Sequence, residues 1–301
     1  MEIIKELVPS KEPTSTALGY FDGIHRGHQA VIKEAVEYAH CHGLVPAVFT
    51  LLQSPRTVLL GEEPRGIITM DEKLSLLESL NVERVYLIDF TTIRTVTAER
   101  FVEDILVGCF NAKHTGCGFN YHFGNGAKGN GDMLSLLAAR FGITETTQPQ
   151  LCYDGRPISS TRIRKCISEG DIPSTNAMLG RKYGFCLPVI HGRQLGRTLG
   201  FPTINQQMPQ GLVKPLFGVY ASTVDVDGTL FRGVTNIGIK PTVGSSDVTI
   251  ETWMPEYNGG ELYGRKLDLR LERFIRPERK FSGLEELRRA VLADAEKVSG
   301  G

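Results

Sequence analysis

Several features are missing from this sequence, and each absence argues against a class of protein. Lys+Arg and Asp+Glu each total 34 in 301 residues, so the formal net charge is zero, whereas general nucleic-acid binding depends on a basic field. No window approaches the ~18 apolar residues of a membrane span, and the opening MEIIKELVPS lacks the apolar stretch of a secretory signal. The six cysteines form no CxxC pair, which argues against a zinc ribbon or thioredoxin motif. We expect a cytoplasmic globular protein with reduced thiols and no nucleic-acid or membrane partner.

Glycine, in contrast, is in excess. The chain has 33 glycines, about 11% of its residues compared with a usual ~7%. They cluster at 116–131, 180–200 and 228–264. Dividing the length by ~150 predicts about two domains. Since the glycine clusters lie in both halves of the chain, each half has candidate binding loops.

Strand and helix patterns alternate through the first half. Apolar residues at helical spacing predict a helix over 28–42 that ends at Gly43. Further helices are predicted at 69–80, 97–109 and 132–141, the first of them opened by the capping box Thr69-x-x-Glu72. The predicted strands are 17–21, 44–52, 84–90, 113–119 and 143–148. This order predicts an α/β domain with a parallel sheet and helices on both faces.

The second half has closely spaced strands without intervening helices. The predicted strands are 183–191, 217–227, 229–239, 247–254 and 266–275. They predict a small antiparallel β-barrel, and Ser282-x-x-Glu285 predicts the start of a C-terminal helix. Because the pattern changes after Asp171-Ile172-Pro173, we predict domains at 1–172 and 182–301, with 173–181 as a linker or short helix.

The first candidate site is the string GYFDGIHRGH at 19–28. It lies where the first strand passes into the first helix, at the edge where α/β sheets bind ligands. A helix N-terminus attracts phosphate, Gly27 permits close approach, and His25 and His28 add donors. The alternatives are ordinary surface or core histidines, or a zinc site, for which no third ligand is near in the sequence.

A second string, ISSTRIR at 158–164, predicts a capped helix start. Thr161 and Arg164 are three residues apart and therefore share a helix face. A hydroxyl and a guanidinium at that position suit an anion. The alternative is an ordinary capped helix whose arginines lie in solvent.

A third string covers GFNYHFG at 118–124 and GNGD at 129–132. Residues 124–129 match GxGxxG, but a dinucleotide fingerprint would open the first strand–helix unit. We therefore reject a Rossmann NAD site, and a flexible turn is the alternative.

The second half carries GRQLGRTLGFPTIN at 192–205. The Walker pattern is absent, but Gly192, Gly196 and Gly200 allow backbone N–H groups to surround phosphates. Thr203 and Asn205 would share one face of an extended strand, and both carry oxygen ligands suited to Mg²⁺. A turn-rich hairpin with incidental hydroxyls is the alternative.

These strings together resemble one family. GYFDGIHRGH resembles the HxGH nucleotidyltransferase motif, and ISSTRIR resembles the ISSTxIR element of the same superfamily. The string at 192–205, with FGVYA at 217–221 and NIGIKPT at 236–242, resembles riboflavin kinase. In motif order and domain order, nearly the whole chain is similar to the bacterial bifunctional riboflavin kinase/FAD synthetases.

The resemblance implies a Rossmann-like nucleotidyltransferase domain followed by a kinase barrel. It implies riboflavin, FMN and ATP as substrates with Mg²⁺ as the metal, and it leaves a homo-oligomer open. Glu251 is implied as the general base of the kinase step, and His25, His28 and Arg164 as catalytic in adenylyl transfer. Trp253 is expected to pack rather than to stack on flavin.

The same resemblance implies the binding residues. The ATP-binding residues would be Gly19, Phe21, Asp22, Gly23, His25, His28, Ser160, Thr161, Arg164, Gly192, Gly196, Arg197, Gly200, Pro202, Thr203 and Asn205. The flavin-binding residues would be Asn120, Phe123, Gly124 and Asp132, and the metal ligands Thr203 and Asn205.

One segment departs from the family pattern. The family usually has a TFxPHP-like string after the second strand, whereas this chain reads TLLQSP at 50–55. Thr50 and Pro55 are retained, but the aromatic residue, the first proline and the polar ring are not. Because this segment lies on the flavin side of the adenylyl-transfer site in the family, two alternatives stay open. One is a riboflavin kinase with a weak or inactive adenylyltransferase domain, and the other is a non-catalytic flavin-binding sensor.

Overall fold

The computed structural model describes residues 1–61, 65–192, 200–239 and 247–299. No helix within these ranges is long and apolar enough to cross a membrane. The chain divides into two compact units, Met1–Ser160 and Thr161–Gly301, and each is described by itself below.

The first unit is built on a six-stranded parallel sheet, which confirms the predicted α/β class. The strand order is β1-β4-β3-β2-β5-β6, and every pair in it is parallel. The strands are β1 Glu2–Ile4, β2 Thr14–Leu18, β3 Val45–Leu51, β4 Arg84–Ile88, β5 Ala112–Gly118 and β6 Thr144–Gln148. The chain leaves β2 toward β3 on one side and leaves β5 toward β6 on the other. The ends of β2 and β5 therefore form the switch point where such sheets bind ligands.

Helices cover this sheet and supply its core. They are α1 Arg26–His42, α2 Pro55–Leu60, α3 Met70–Ser79, α4 Phe90–Ile93, α5 Ala98–Arg100 and α6 Gly131–Ala139, and α5 continues as a π-helix over Phe101–Cys109. The apolar residues whose spacing predicted α1 are all buried, namely Val31, Ile32, Ala35, Val36 and Ala39. The helix ends at Gly43, which has a φ of 65°. A short hairpin of β7 Cys152–Tyr153 and β8 Arg156–Pro157 follows the sheet.

The first strand is the least accurate of the predicted boundaries. It was predicted at 17–21, but β2 is Thr14–Leu18. Phe21 is apolar and 2% exposed, as a residue of a buried strand would be. However, its φ is 53°, so it belongs to a turn rather than to extended backbone.

The second unit confirms the predicted antiparallel barrel. Its strand order is β10-β13-β12-β11-β14-β9, and every pair is antiparallel. The backbone N–H of Ile190 donates to the carbonyl of Asn205 at 2.8 Å, a bridge that nearly closes the two edges. The strands are β9 Gly184–Pro188, β10 Thr203–Gln207, β11 Gly218–Val226, β12 Thr229–Ile239, β13 Val248–Trp253 and β14 Lys266–Pro277.

Three helices accompany the barrel. They are α7 Ser160–Glu169, α8 Ile172–Leu179 and the predicted C-terminal helix, α9 Leu284–Ser299. Asp171 caps α8, and Asn176 of α8 donates to the carbonyl of Leu271 at 3.0 Å. The predicted boundaries at 172 and 182 stay predictions.

The start of α9 differs in one detail from its predicted capping box. Glu286 rather than Glu285 reaches back, and its Oε2 accepts from both the backbone N–H and the hydroxyl of Ser282 at 2.8 Å. The helix begins at Leu284, so Glu286 is its third residue, and the third residue is the one that can reach back over the first turn.

The two faces of the barrel wall differ in chemistry. A ladder of fully buried hydroxyls joins Ser222 to Thr235 at 2.7 Å and Thr235 to Thr252 at 2.8 Å. On the other face, Val219 and Val234 form a cluster with Val298 of α9. This second face carries the site described below.

Candidate functional site

The loop after β2 contains residues with strained backbone angles whose side chains are buried. Phe21 and Ile24 have φ angles of 53° and 39°, which cost about 1–3 kcal/mol each, and both side chains are buried. Gly23 has a φ of 80°, and a Cβ there would lie 2.9 Å from Ile67 Cδ1. The Asp22 Oδ1 accepts from the Ile67 backbone N–H at 3.0 Å. Strain of this kind is typical of functional loops.

His25 and His28 lie together at the start of α1. His25 is the N-cap residue, and its Nδ1 accepts from the His28 backbone N–H at 3.3 Å. When neutral, the His25 ring therefore carries its proton on Nε2. The two rings stack with centroids 3.6 Å apart, and the edge of Phe21 packs against His28 at 5.3 Å.

The His28 ring is held neutral by its surroundings. Burial lowers its pKa well below the ordinary value, and the positive charges of His25 and Lys73 lower it further. Its Nδ1 is buried with no hydrogen-bond partner among the residues that the structure describes. A neutral imidazole beside the free N–H groups of a helix start can donate one hydrogen bond to an anion.

Lys73 is part of this site and was not predicted. It is 5% exposed, and its Nζ donates to the Tyr20 carbonyl at 2.5 Å and to Thr50 Oγ1 at 2.9 Å. Burial lowers the pKa of Lys73 to about 8, although the Asp22 carboxylate opposes that shift. The signal was present in the sequence, because Lys73 lies four residues before the buried Leu77 and so on the apolar face of α3.

The ISSTRIR string meets the histidine loop through its serine. Ser160 Oγ donates to the backbone carbonyl of Asp22 at 2.9 Å. Ser160 also begins α7, so Thr161 and Arg164 lie in the first turns of that helix. The structure thus joins Ser160 to the β2–α1 loop, as the two strings together suggest.

The glycine-rich loop after β5 gives a mixed picture. Asn120 and Asp132 are exposed, as a ligand-binding role requires, and Gly124 has a φ of 73°. Phe123 is buried in the hydrophobic core and lies 5.2 Å from the Phe101 ring. Phe123 therefore anchors the loop, and its predicted flavin contact stays a prediction.

In the second unit, strand register places Glu251 between two amides. Glu251 pairs with Asn205 of β10 on one side and with Asn236 of β12 on the other. Residues that pair across antiparallel strands share a face, and Thr203 lies on that face as well. The row therefore combines one carboxylate with hydroxyl and amide oxygens.

A cavity of about 260 Å³ lies beside this row. Its lining includes Thr203, Asn236, Glu251, Trp253 and Phe281, with Leu287 and Val291 of α9. The volume is near the lower end of the ~300–1,000 Å³ typical of small-molecule sites. Three carboxylates, those of Glu251, Glu278 and Asp294, also line it. Apolar and aromatic walls beside such polar groups suit a flat aromatic ligand that carries hydroxyl groups.

One wall of the cavity is held by a buried ion pair. Arg276 donates from Nε to Asp294 Oδ2 at 2.9 Å, and its Nη2 lies 2.8 Å from the same oxygen. The guanidinium carbons of Arg276 and Arg279 lie 5.6 Å and 4.9 Å from the Phe281 ring centroid. Trp253 lines the cavity and also packs 5.9 Å from Phe201. Its predicted packing role and a ligand contact are both compatible with this position.

The phosphate-binding string is only partly described. Gly192 lies directly against Asn205, since a Cβ at Gly192 would come within 2.6 Å of the Asn205 side chain. Gly200 has a φ of 83°, and Pro202 is exposed. Gly196 and Arg197 lie outside the described residues, as do residues 240–242 of the NIGIKPT string.

The departing segment 50–55 makes contacts at both of its ends. Thr50 is buried, and its Oγ1 donates to the Tyr20 carbonyl at 2.9 Å. Gln53 Nε2 donates to Asp89 Oδ1 at 3.1 Å, and Ser54 caps α2. The segment is therefore tied to the histidine loop through Thr50.

A family model matches each of the two halves of the chain. The model of FAD synthetase matches residues 7–162, and the model of riboflavin kinase matches residues 179–300. Together they cover both candidate sites.

Curated relatives match nearly the whole chain. A bifunctional riboflavin kinase/FMN adenylyltransferase from Bacillus subtilis is 35% identical over 289 residues, which are 94% of this chain and 90% of the relative. Relatives with the same name from Pseudomonas fluorescens and Escherichia coli are 32% and 31% identical, over 97% and 92% of this chain and 94% and 89% of their own lengths.

A solved structure has the same fold. It is described as a macrolide-efflux protein from Streptococcus pneumoniae, and it matches with a TM-score of 0.90 at 28% identity, with all of both chains covered. Its description names no flavin activity. It therefore bears on the fold, whereas the functional comparison rests on the family models and the curated relatives.

Proposed function

Because the chain belongs to the bifunctional riboflavin kinase/FMN adenylyltransferase family, we propose that it makes FAD in two steps. Riboflavin and ATP give FMN and ADP, and FMN and a second ATP give FAD and pyrophosphate. The observation that carries the proposal is the cavity bordered by Glu251, since it places a carboxylate at the edge of an aromatic-lined space.

In the kinase step, Glu251 would act as the general base. Its carboxylate accepts the proton of the ribityl 5′-hydroxyl as that oxygen attacks the γ-phosphorus of ATP and ADP leaves. The ring system of riboflavin would occupy the cavity between Trp253, Phe281 and the apolar face of α9. Asn236, which is next to Glu251 across the strands, donates to Glu278 at 3.1 Å, and this bond stabilises that edge of the cavity.

The residues around β10 fit a bound Mg²⁺. Thr203 and Asn205 offer a hydroxyl and an amide oxygen on one strand face. Because Gly192 has no side chain, it leaves room for the side chain of Asn205. The ion would neutralise the charge of the transferring phosphates. Gly192, Gly196, Arg197, Gly200 and Pro202 would bind ATP.

The adenylyl-transfer step has different needs. Its nucleophile, the FMN phosphate, is already ionised, so positioning and charge stabilisation suffice. His25, His28 and the N–H groups of the α1 start would bind the triphosphate, with Ser160, Thr161 and Arg164 of α7 and the loop residues Gly19, Phe21, Asp22 and Gly23. Asn120, Phe123, Gly124 and Asp132 would contact the flavin.

The remaining assignments follow the same proposal. We assign adenylyl transfer to 1–172 and the kinase to 182–301. The substrates are small molecules of the cytoplasm, and no nucleic acid or membrane takes part.

A product time course tests both steps. Riboflavin, ATP and Mg²⁺ are incubated with the full chain, and riboflavin, FMN and FAD are separated by chromatography. We expect His28→Ala to lose FAD formation and keep FMN formation. We expect Glu251→Ala to show the reverse when FMN is supplied.

The same time course separates the alternatives. An accumulation of FMN without FAD in the wild-type chain would favour a kinase with an inactive adenylyltransferase domain. This alternative concerns the departing segment 50–55, in which Leu52 is exposed. Binding of flavin with neither product would favour the sensor. Equal activities in both variants would refute the site assignment.

A further inference from the structure

Lys73 is a buried cation beneath the histidine loop, and the proposed chemistry does not use it. An ammonium is costly to bury unless its charge and donors are satisfied. Two of its three N–H groups have acceptors within the described part of the chain, the Tyr20 carbonyl and Thr50 Oγ1. Its Nζ also lies 4.7 Å over the Tyr20 ring.

These contacts form a triangle that joins α3, the loop after β2 and β3. Lys73 donates to both Tyr20 and Thr50, and Thr50 donates to Tyr20. Tyr20 belongs to the loop after β2, and Thr50 lies near the end of β3. The carbonyl of Tyr20 is therefore held from two sides.

The position of Tyr20 links this triangle to the histidines. Tyr20 precedes Phe21, whose backbone has a φ of 53° and whose ring packs edge-on against His28. Fixing the Tyr20 carbonyl fixes the peptide plane before Phe21, and this plane helps decide where the Phe21 ring lies. A shift there would move the surface against which His28 rests.

We propose that Lys73 is a positioning residue for adenylyl transfer, because its ammonium ties the loop that carries His25 and His28 to the end of β3. This inference rests on the proposed function of that loop. Lys73 acts through Tyr20, Phe21 and His28 and does not touch the nucleotide.

The charge of Lys73 has a second effect on the same ring. Behind burial and His25, it is the third cause that lowers the pKa of His28. The titratable groups that face Lys73 in the described residues are Asp22, Tyr20 and His28. His28 is neutral above neutral pH, and Lys73, whose pKa is about 8, is expected to titrate there.

Three variants of the full chain test the proposal. Lys73→Met removes the charge and the donors, Lys73→Arg keeps a charge that does not titrate, and Thr50→Val removes one acceptor and keeps the lysine. Lys33→Met, at an exposed lysine of α1, is the matched control. Far-UV circular dichroism establishes that each variant folds.

We expect Lys73→Met to lower kcat for FMN adenylylation about 10²-fold, the size that a displacement of about 1 Å produces, with little change in KM for ATP and in riboflavin phosphorylation. Thr50→Val lowers the same kcat by less, and Lys33→Met leaves it unchanged. In the wild type, kcat/KM, which reports groups of the free enzyme, falls as pH rises through about 8. Lys73→Arg moves that fall to higher pH.

A second readout does not depend on turnover. The His28 imidazole is titrated by NMR, and its pKa should rise in Lys73→Met and stay in place in Thr50→Val. Wild-type kcat and an unchanged His28 pKa in folded Lys73→Met would overturn the proposal. If the wild-type chain makes no FAD, the proposed function fails, and the His28 titration alone decides for or against Lys73. If Lys73→Met does not fold, the pH profile of Lys73→Arg and the kcat of Thr50→Val decide.

Discussion

The buried ammonium of Lys73 makes the stability of the first unit depend on pH in a direction that can be calculated. The ordinary pKa of a lysine is 10.5, and burial lowers that of Lys73 to about 8 in the folded chain. The unfolded chain therefore holds one more proton than the folded chain between about pH 8 and 10.5. Stability rises with pH wherever the unfolded state binds more protons, so the wild type gains stability over this range.

The size of the gain follows from the shift. One pKa unit is worth ~1.36 kcal/mol, so full titration of Lys73 contributes about 3 kcal/mol. Replacing the lysine by methionine removes this contribution and keeps an apolar side chain of similar length. Thr50 Oγ1 still donates to the Tyr20 carbonyl in that variant, so no buried acceptor is left alone. At pH 10 the unfolded lysine is only partly deprotonated, so most but not all of this contribution is realised. We predict that the free energy of unfolding of the wild type minus that of Lys73→Met increases by about 2–3 kcal/mol from pH 7 to pH 10.

Urea unfolding measures this difference. Far-UV circular dichroism follows the helices and the sheets, and the fluorescence of Trp253, the only tryptophan, follows the second unit separately. Taking the difference between two chains at each pH removes the titration of every other group. A difference that stays constant between pH 7 and pH 10 would refute the conclusion that Lys73 is buried and charged. Lys33→Met, at an exposed lysine, is the control.

Three further predictions concern the second unit. Asp294→Asn breaks the buried pair with Arg276 and is expected to destabilise the unit by about 3–5 kcal/mol, measured by Trp253 fluorescence in urea. Asp227→Asn breaks the exposed pair with Arg265 and should cost less than about 1 kcal/mol, so equal effects of the two changes would contradict the assignment. Gly192→Ala places a Cβ within 2.6 Å of the Asn205 side chain and should raise KM for ATP in riboflavin phosphorylation, whereas Gly260→Ala meets nothing within 4 Å and should not. Riboflavin binding should quench the fluorescence of Trp253, which lines the cavity. The Trp253→Phe variant, which emits from tyrosine alone, should show less quenching, and equal quenching in both chains would argue against binding in this cavity.

Local signals in the sequence predicted most of the fold. The apolar spacing of α1, the αL glycine that ends it and the hydroxyl of Thr69 that caps α3 are all decided within a few residues, and the structure shows them as predicted. The alternation of strands and helices was enough to predict the parallel sheet. The predicted boundary of β2 was wrong because a buried apolar residue next to a strand usually has an extended backbone, and Phe21 is buried but does not.

The features of the sites that were not predicted depend on contacts between distant segments. The row of Asn205, Glu251 and Asn236 exists because of the register of three strands. The cavity exists because α9 packs against one face of the barrel. Lys73 could have been noticed as a charge on an apolar helix face, but its acceptors, Tyr20 and Thr50, are 53 and 23 residues away. No pattern within α3 could have indicated them.

The departure at 50–55 can be interpreted in the same way. Thr50 matches the family pattern. It contacts the histidine loop through its bond to Tyr20 and also bonds to Lys73. The changed residues lie farther along the chain, where Leu52 is exposed and Gln53 bonds to Asp89. The substitutions therefore leave the support of His25 and His28 in place and alter the surface beyond it. An effect of this segment on FAD formation should then reside in the binding of the flavin substrate and not in the geometry of the histidines.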